Sequence, residues 1–294
     1  MSVLLGAVVC ALWGSLYSCI KAGYSLFGID SSHTPSVILF AGIRFLICGF
    51  ILTAAVSVRD KKYCAPSGKG STFVFLVALT TIVIHYSLSY TGISLCEASK
   101  SAILKQIGYL FISCFAFIFI KSDKFSVKKV IGGILGFAGI VAVNMNGLNF
   151  SFGIGETVII LASFFSVAGT VISKKAYSFM DPAYVVAHSQ LTGGTILTFA
   201  ALILGGRFST VSLAAVGLMA YICTASIISY LLWNTLVKYN DISKMSIIKY
   251  LEPIFGVLFS GLIVHEKILR PEYIGAFAII AAAIAVSNTG KSKK

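Results

Sequence analysis

Ten stretches of this 294-residue chain are apolar over about twenty consecutive residues, and that length constrains the fold more than any single motif. At 1.5 Å rise per residue, about twenty helical residues cross the roughly 30 Å hydrocarbon core of a bilayer. The runs lie near 3–21, 35–57, 72–94, 98–120, 127–146, 153–173, 183–204, 211–236, 244–264 and 272–289. Only short connections separate them, and none is polar enough to form a soluble domain. Hydrophobic residues make up 57% of the chain and charged residues 11%, with a mean hydropathy of +0.94. A soluble domain is roughly half apolar and a quarter charged. Because lipid offers no partner to a backbone amide, each crossing must satisfy its own hydrogen bonds as a helix. The expected fold is an all-α integral membrane protein of about ten transmembrane helices.

The first run, VLLGAVVCALWGSLYSCI, has no basic residue before it and no clear small-residue cleavage site, so it is expected to stay as a helix. Seven cysteines, an odd number without CxxC or Cys/His spacing, point to neither a disulfide framework nor a metal centre. The formal charge of +13 belongs to orientation and not to nucleic acid, for which no basic patch with stacked aromatics is present. With the amino terminus placed inside, the connections on that side and the tail hold fourteen Lys and Arg residues, and those on the opposite side hold three. Both termini are therefore expected in the cytoplasm, with 290–294 a basic cytoplasmic tail.

SKSAILKQIGYLF (99–111) lies over SKMSIIKYLEPIF (243–255) at an offset of 144, matching Ser99, Lys100, Ile103, Lys105 and Phe111 to Ser243, Lys244, Ile247, Lys249 and Phe255. With one residue of slip, VIGGILGFAGIVAV (130–143) falls over YIGAFAIIAAAIAV (273–286). Two copies are implied, 1–146 and 153–289, with about five spans each. Five is odd, so the second copy must enter the membrane from the opposite side. Inverted repeats of this kind build secondary transporters, whose substrate sits near mid-membrane between the copies.

CALWGSLYSCIKAG (10–23) and YLLWNTLVKYNDISKMSIIKYLEPIFGVLFSGLIVHEK (230–267), ending near Glu266, resemble the first-helix and eighth-to-ninth-helix signatures of EamA-type carriers of the drug/metabolite transporter superfamily. The resemblance spans essentially the whole chain. It implies a ten-helix carrier of small metabolites, often amino acids, with a central cavity lined from both halves. The first copy departs from the pattern, with Gly108 and Tyr109 where the second has Glu252 and Pro253, so an asymmetric site is expected.

Pro253 cannot donate to the carbonyl four residues back, that of Lys249, and so frees an acceptor beside a cation. Charged or irregular positions at membrane depth face a cavity in preference to lipid. Lys249 and Lys105 occupy the same place in the two copies and approach the middle from opposite faces. Glu252 stands three residues after Lys249, the spacing of an ion pair on a helix surface. Lys105 has only Gly108 there, which makes it the expected leftover cation and the receptor of an anionic substrate group. Lys100 and Lys244 mark the membrane boundary. Trp13 with Tyr17, Tyr86 with Tyr90, and Tyr109, Trp233 and Asn234 complete the expected substrate-binding set. Either they line the cavity or they pack and anchor at the interface.

His85 and His188 are expected as buried, neutral, hydrogen-bonded side chains. Arg44 sits about nine residues into the second span. The resembled family often has an arginine near this place, which assigns it a structural role. Glu156 suits a helix amino terminus. Gly132, Gly136 and Gly139, with Gly275, Ala278 and Ala282, allow close helix packing and mark the fifth and tenth spans as scaffold.

The expected function is secondary transport, with export the expected direction, of small metabolites such as amino acids or other carboxylate-bearing compounds across the cell inner membrane. An exchanger of anionic or phosphorylated metabolites is the alternative. A membrane-embedded enzyme would need converging catalytic groups or a motif such as HExxH or GxSxG, and neither is present. A channel would show a selectivity loop or a ring of like charge. No cofactor, metal or nucleotide-binding loop is expected. The expected partners are a small-molecule substrate, lipid, and protons or a counter-substrate, with the protein a monomer or homodimer.

Overall fold

The structure, a computed structural model, describes residues 2–61, 65–95, 104–144, 153–264 and 271–288, and the statements below concern those residues. They are mostly helical and contain no strand. The chain runs through α1 (Ser2–Leu26), α2 (Thr34–Arg59), α3 (Gly68–Val77), a π-helical segment (Ala78–Ile84), α4 (His85–Leu95), α5 (Ile107–Phe119) and α6 (Val127–Asn144). It continues through α7 (Ile154–Ala176), α8 (Pro182–Ile203), α9 (Leu213–Tyr239), α10 (Ile242–Ile248), α11 (Leu251–Val264) and α12 (Pro271–Asn288). Six helical stretches are long and apolar enough to cross a bilayer: 2–26, 34–59, 68–92, 154–176, 182–203 and 213–239. The other four expected runs hold shorter or interrupted helices.

Helix ends follow local chemistry. Asp181 caps α8, its Oδ1 accepting from the amides of Ala183 at 2.8 Å and Tyr184 at 3.3 Å, with Pro182 at the first helical position. Ser212 caps α9 by accepting from the Ala215 amide. Glu156 takes the role expected of it, accepting from the Gly153 amide at 2.8 Å before α7.

Polarity is distributed as membrane burial requires. Apolar side chains such as Phe50, Phe199, Ile203 and Leu213 face outward, while Arg44, Lys249, Gln190 and a series of serines face inward. The helices pair so that adding 144 to a residue number exchanges one set of partners for another. The pairing of α1 with α9 and α11 becomes that of α7 with α4 and α5, whereas α2 with α8 and α6 with α12 map onto themselves. Close approach in the last two pairs depends on missing side chains. A Cβ on Gly49 would overlap the Leu191 backbone, one on Gly194 would overlap Leu46, and one on Gly132 would lie 3.0 Å from the Ala283 carbonyl. Away from this seam, Lys129 of α6 joins Asp123 at 2.5 Å and Asp241 at 3.0 Å, and Asp123 also accepts from the Ser243 amide and hydroxyl. That buried network ties the first half of the chain to the start of α10.

Three local features differ from the unbroken helices expected. The run 244–264 is interrupted at Lys249 and Tyr250, as Pro253 demands, but the freed Lys249 carbonyl does not face the cavity empty. The Glu252 amide takes it at 3.0 Å in a tighter turn. A second interruption falls at Lys105 and Gln106, at the same register in the first half and with no proline nearby. The third is the π-helical widening at Ala78–Ile84. There the Thr80 and Thr81 hydroxyls donate to the carbonyls of Leu76 and Val77, at 2.6 and 2.7 Å.

Candidate functional site

Both interruptions and the widened turn open onto one cavity of about 580 Å³ between the two halves, within the roughly 300–1,000 Å³ of small-molecule sites. Four basic residues line it, Lys21, Arg44, Lys105 and Lys249, against a single carboxylate, Glu252. Lys21 stands at the exposed end of α1, and Arg44 and Lys249 are buried.

Lys249 is placed by the break that bears it. Its Nζ lies 2.8 Å from Glu252 Oε2, 3.2 Å from the Trp13 ring centroid, 4.8 Å from that of Trp233 and 5.5 Å from that of Tyr109. It does not extend toward the membrane surface, because the carboxylate and ring faces offer the ammonium more than lipid would. Trp13 meets Trp233 edge to face at 5.5 Å and Tyr230 at 5.6 Å. The Tyr86 and Tyr230 hydroxyls, 144 residues apart, sit 3.2 Å from each other. The Tyr177 hydroxyl donates to Asn234 Oδ1, and the Ala162 carbonyl accepts from His85 Nδ1 at 3.0 Å. The proton on His85 is thereby held on Nδ1.

The EamA-like transporter family model matches residues 1–145 and again 153–288. The chain belongs to that family. It is therefore a membrane transporter. It is similar to the uncharacterized transporter YvbV of Bacillus subtilis, with 28% identity over all of this chain and 93% of that protein. An uncharacterized transporter of Archaeoglobus fulgidus is 24% identical, covering 98% of this chain and 97% of the other. A solved crystal structure superposes with a TM-score of 0.79 over 98% of this chain and 96% of that one; at 16% identity this shows the fold alone.

Of the residues singled out in the sequence, Trp13, Tyr86, Tyr90, Lys105, Tyr109, Trp233, Asn234, Lys249 and Glu252 all line the transporter's cavity. The side chain of Tyr17 lies outside the described residues, as do Lys100 and Glu266. One expectation is corrected: Lys105 is not a solitary cation, since it has an interaction of its own. Arg44, for which a structural role was expected, lines the cavity, is 2% exposed and forms no ion pair among the described residues. Its signal in the sequence was a charge set ten residues into an otherwise apolar helix. Also missed were Ser89, Gln106 and Gln190, which line the cavity while being buried.

The absence of an acid at 108 has a steric cause. A Cβ there would lie 2.7 Å from the Ser163 carbonyl, so α7 packs against that turn and leaves no room for a carboxylate. The corresponding place in the second half is open to the cavity and holds Glu252. Gly132 and Gly136 pack against α12 and the Tyr250 ring and do not line the cavity, as a scaffold role requires.

Proposed function

We propose that the protein is a secondary carrier that exports small carboxylate-bearing metabolites, amino acids among them, by alternating access. The observation that carries this is the charge of the cavity wall, where the described residues set four Lys and Arg side chains against one carboxylate. Such an excess of positive charge in a cavity wall favours anion-bearing cargo over purely cationic cargo. Two inverted copies, 1–146 and 153–289, would supply the alternation. The meeting of Tyr86 with Tyr230 at equal register and the interchange of helix partners under an offset of 144 support that arrangement. The breaks at Lys105 and Lys249 place a half-helix amino terminus beside the cavity in each copy, the arrangement that discontinuous helices provide in carriers of this architecture. The excess of basic residues in one set of loops favours cytoplasmic termini.

Full-length protein in proteoliposomes, assayed with radiolabelled amino acids, organic acids, phosphorylated metabolites and amines, with and without a pH gradient, tests this reading. Saturable uptake of carboxylates that accelerates when the same carboxylate fills the far side is expected. Uptake confined to amines would refute it.

A further inference from the structure

Arg44 occupies the most costly position in the cavity wall. It lies ten residues into α2, about 15 Å below the helix start and so close to mid-membrane. Its guanidinium rests 4.3 Å from the Phe45 ring centroid and 5.4 Å from that of Tyr86, and its Nε has no hydrogen-bond partner. The described carboxylates in ion pairs all serve other cations, at Arg59, Lys129 and Lys249. A guanidinium cannot shed its proton, so burial leaves it charged and in need of acceptors. The ring faces offset only part of that need.

The same cavity wall contains other buried polar atoms without partners. Ser89 Oγ, Gln106 Oε1 and both amide atoms of Gln190 are unpaired, and all three residues line the cavity with Arg44. Unsatisfied buried groups are rare in a native structure, and their clustering in residues of one cavity wall points to a ligand that completes them. Their chemistry is complementary to one class of molecule. The guanidinium fork, the serine hydroxyl and the Gln190 amide N–H donate to an oxyanion, while Gln106 Oε1 accepts from a donor on the same molecule.

We propose that Arg44 is the receptor for the substrate carboxylate, assisted by Ser89 and Gln190, and that Gln106 selects for an amino or hydroxyl group on the same molecule. The cargo is then a small amino or hydroxy acid. The assignment rests on the carrier reading above and deepens it by naming the residue that reads the anion.

The chain's two tryptophans, Trp13 and Trp233, both line the cavity, so their emission reports its occupancy. Full-length protein in lipid nanodiscs is titrated with isovalerate, isovaleramide, L-leucine and isobutyl phosphate. The wild type should bind isovalerate at least about tenfold more tightly than isovaleramide, the scale of a charge-assisted hydrogen-bond pair, and L-leucine more tightly than isovalerate. Arg44→Gln should bring the acid-to-amide ratio to near one with the amide affinity unchanged. Arg44→Lys, which keeps the charge and loses the fork, should fall between. Gln106→Leu should abolish the advantage of L-leucine alone. A wild type indifferent to acid against amide would overturn both the anionic-cargo reading and this assignment. A wild-type preference that survives Arg44→Gln would overturn the Arg44 assignment alone, as would isobutyl phosphate binding more tightly than either acid. If Arg44→Gln does not fold, Arg44→Lys and Gln190→Leu decide, and an unchanged ratio in both rejects the proposal.

Discussion

The pair formed by Lys249 and Glu252 allows a quantitative test through a double-mutant cycle. Its atoms are 2.8 Å apart and its side chains are 7% and 14% exposed, so solvent screens it little. Removing one partner of such a pair costs about 3–5 kcal/mol, because the other charge stays buried without compensation. In Glu252→Gln the ammonium keeps an amide oxygen to donate to and the faces of Trp13 and Trp233, which places the loss near 3 kcal/mol, the low end of that range. Lys249→Met removes the carboxylate's ion-pair partner and also forfeits a desolvated cation–π contact of about 2 kcal/mol, so about 5 kcal/mol is expected. The double variant carries neither charge and loses little beyond the ring contact, about 2 kcal/mol. At about 2 °C per kcal/mol, melting of the purified protein in nanodiscs should fall by roughly 6, 10 and 4 °C in turn. A double variant that loses the sum of the two single losses, to within about 0.5 kcal/mol, would show that the two groups act independently and that the pair contributes nothing.

Three further outcomes follow from particular contacts. Gly49→Ala should lower the melting temperature, since its Cβ meets rigid Leu191 backbone and overpacking costs about 1–3 kcal/mol; Gly217→Ala, with nothing within 4 Å, should raise it slightly through helix propensity. Lys129→Met should cost about 3 kcal/mol by stranding Asp123, and adding Asp123→Asn should restore most of that loss in the same melting assay. Asp181→Ala should cost about 1 kcal/mol by leaving the first amides of α8 uncapped, and circular dichroism melting should show a shift of about 2 °C.

Much of the architecture was written in local chemistry. Hydrocarbon cannot hydrogen-bond to a backbone, so long apolar runs became helices with apolar outer faces. Pro253 lacks an amide hydrogen, so the Lys249 carbonyl lost its helical partner as expected, and the helix is interrupted there. The three-residue spacing of Lys249 and Glu252 became an ion pair because the tight turn between them, closed by the Glu252 amide on the Lys249 carbonyl, keeps the two side chains together. Asp181 before Pro182 and Glu156 after Gly153 became caps because each lies within reach of the free amides at its own helix start.

Other features depended on contacts between segments far apart in the chain. The interruption at Lys105 and Gln106 has no proline to announce it. In the sequence Arg44 is one charge in an apolar helix, and whether it meets lipid, a neighbour or a void depends on how α2 is rotated. That rotation follows from the close approach of α2 to α8 at Gly49 and Gly194. Ser89, Gln106 and Gln190 look like ordinary polar residues until packing encloses them without partners. Periodicity and spacing act along one helix and are legible there, whereas the cavity and its unpaired donors exist only where several helices fail to fill the space between them.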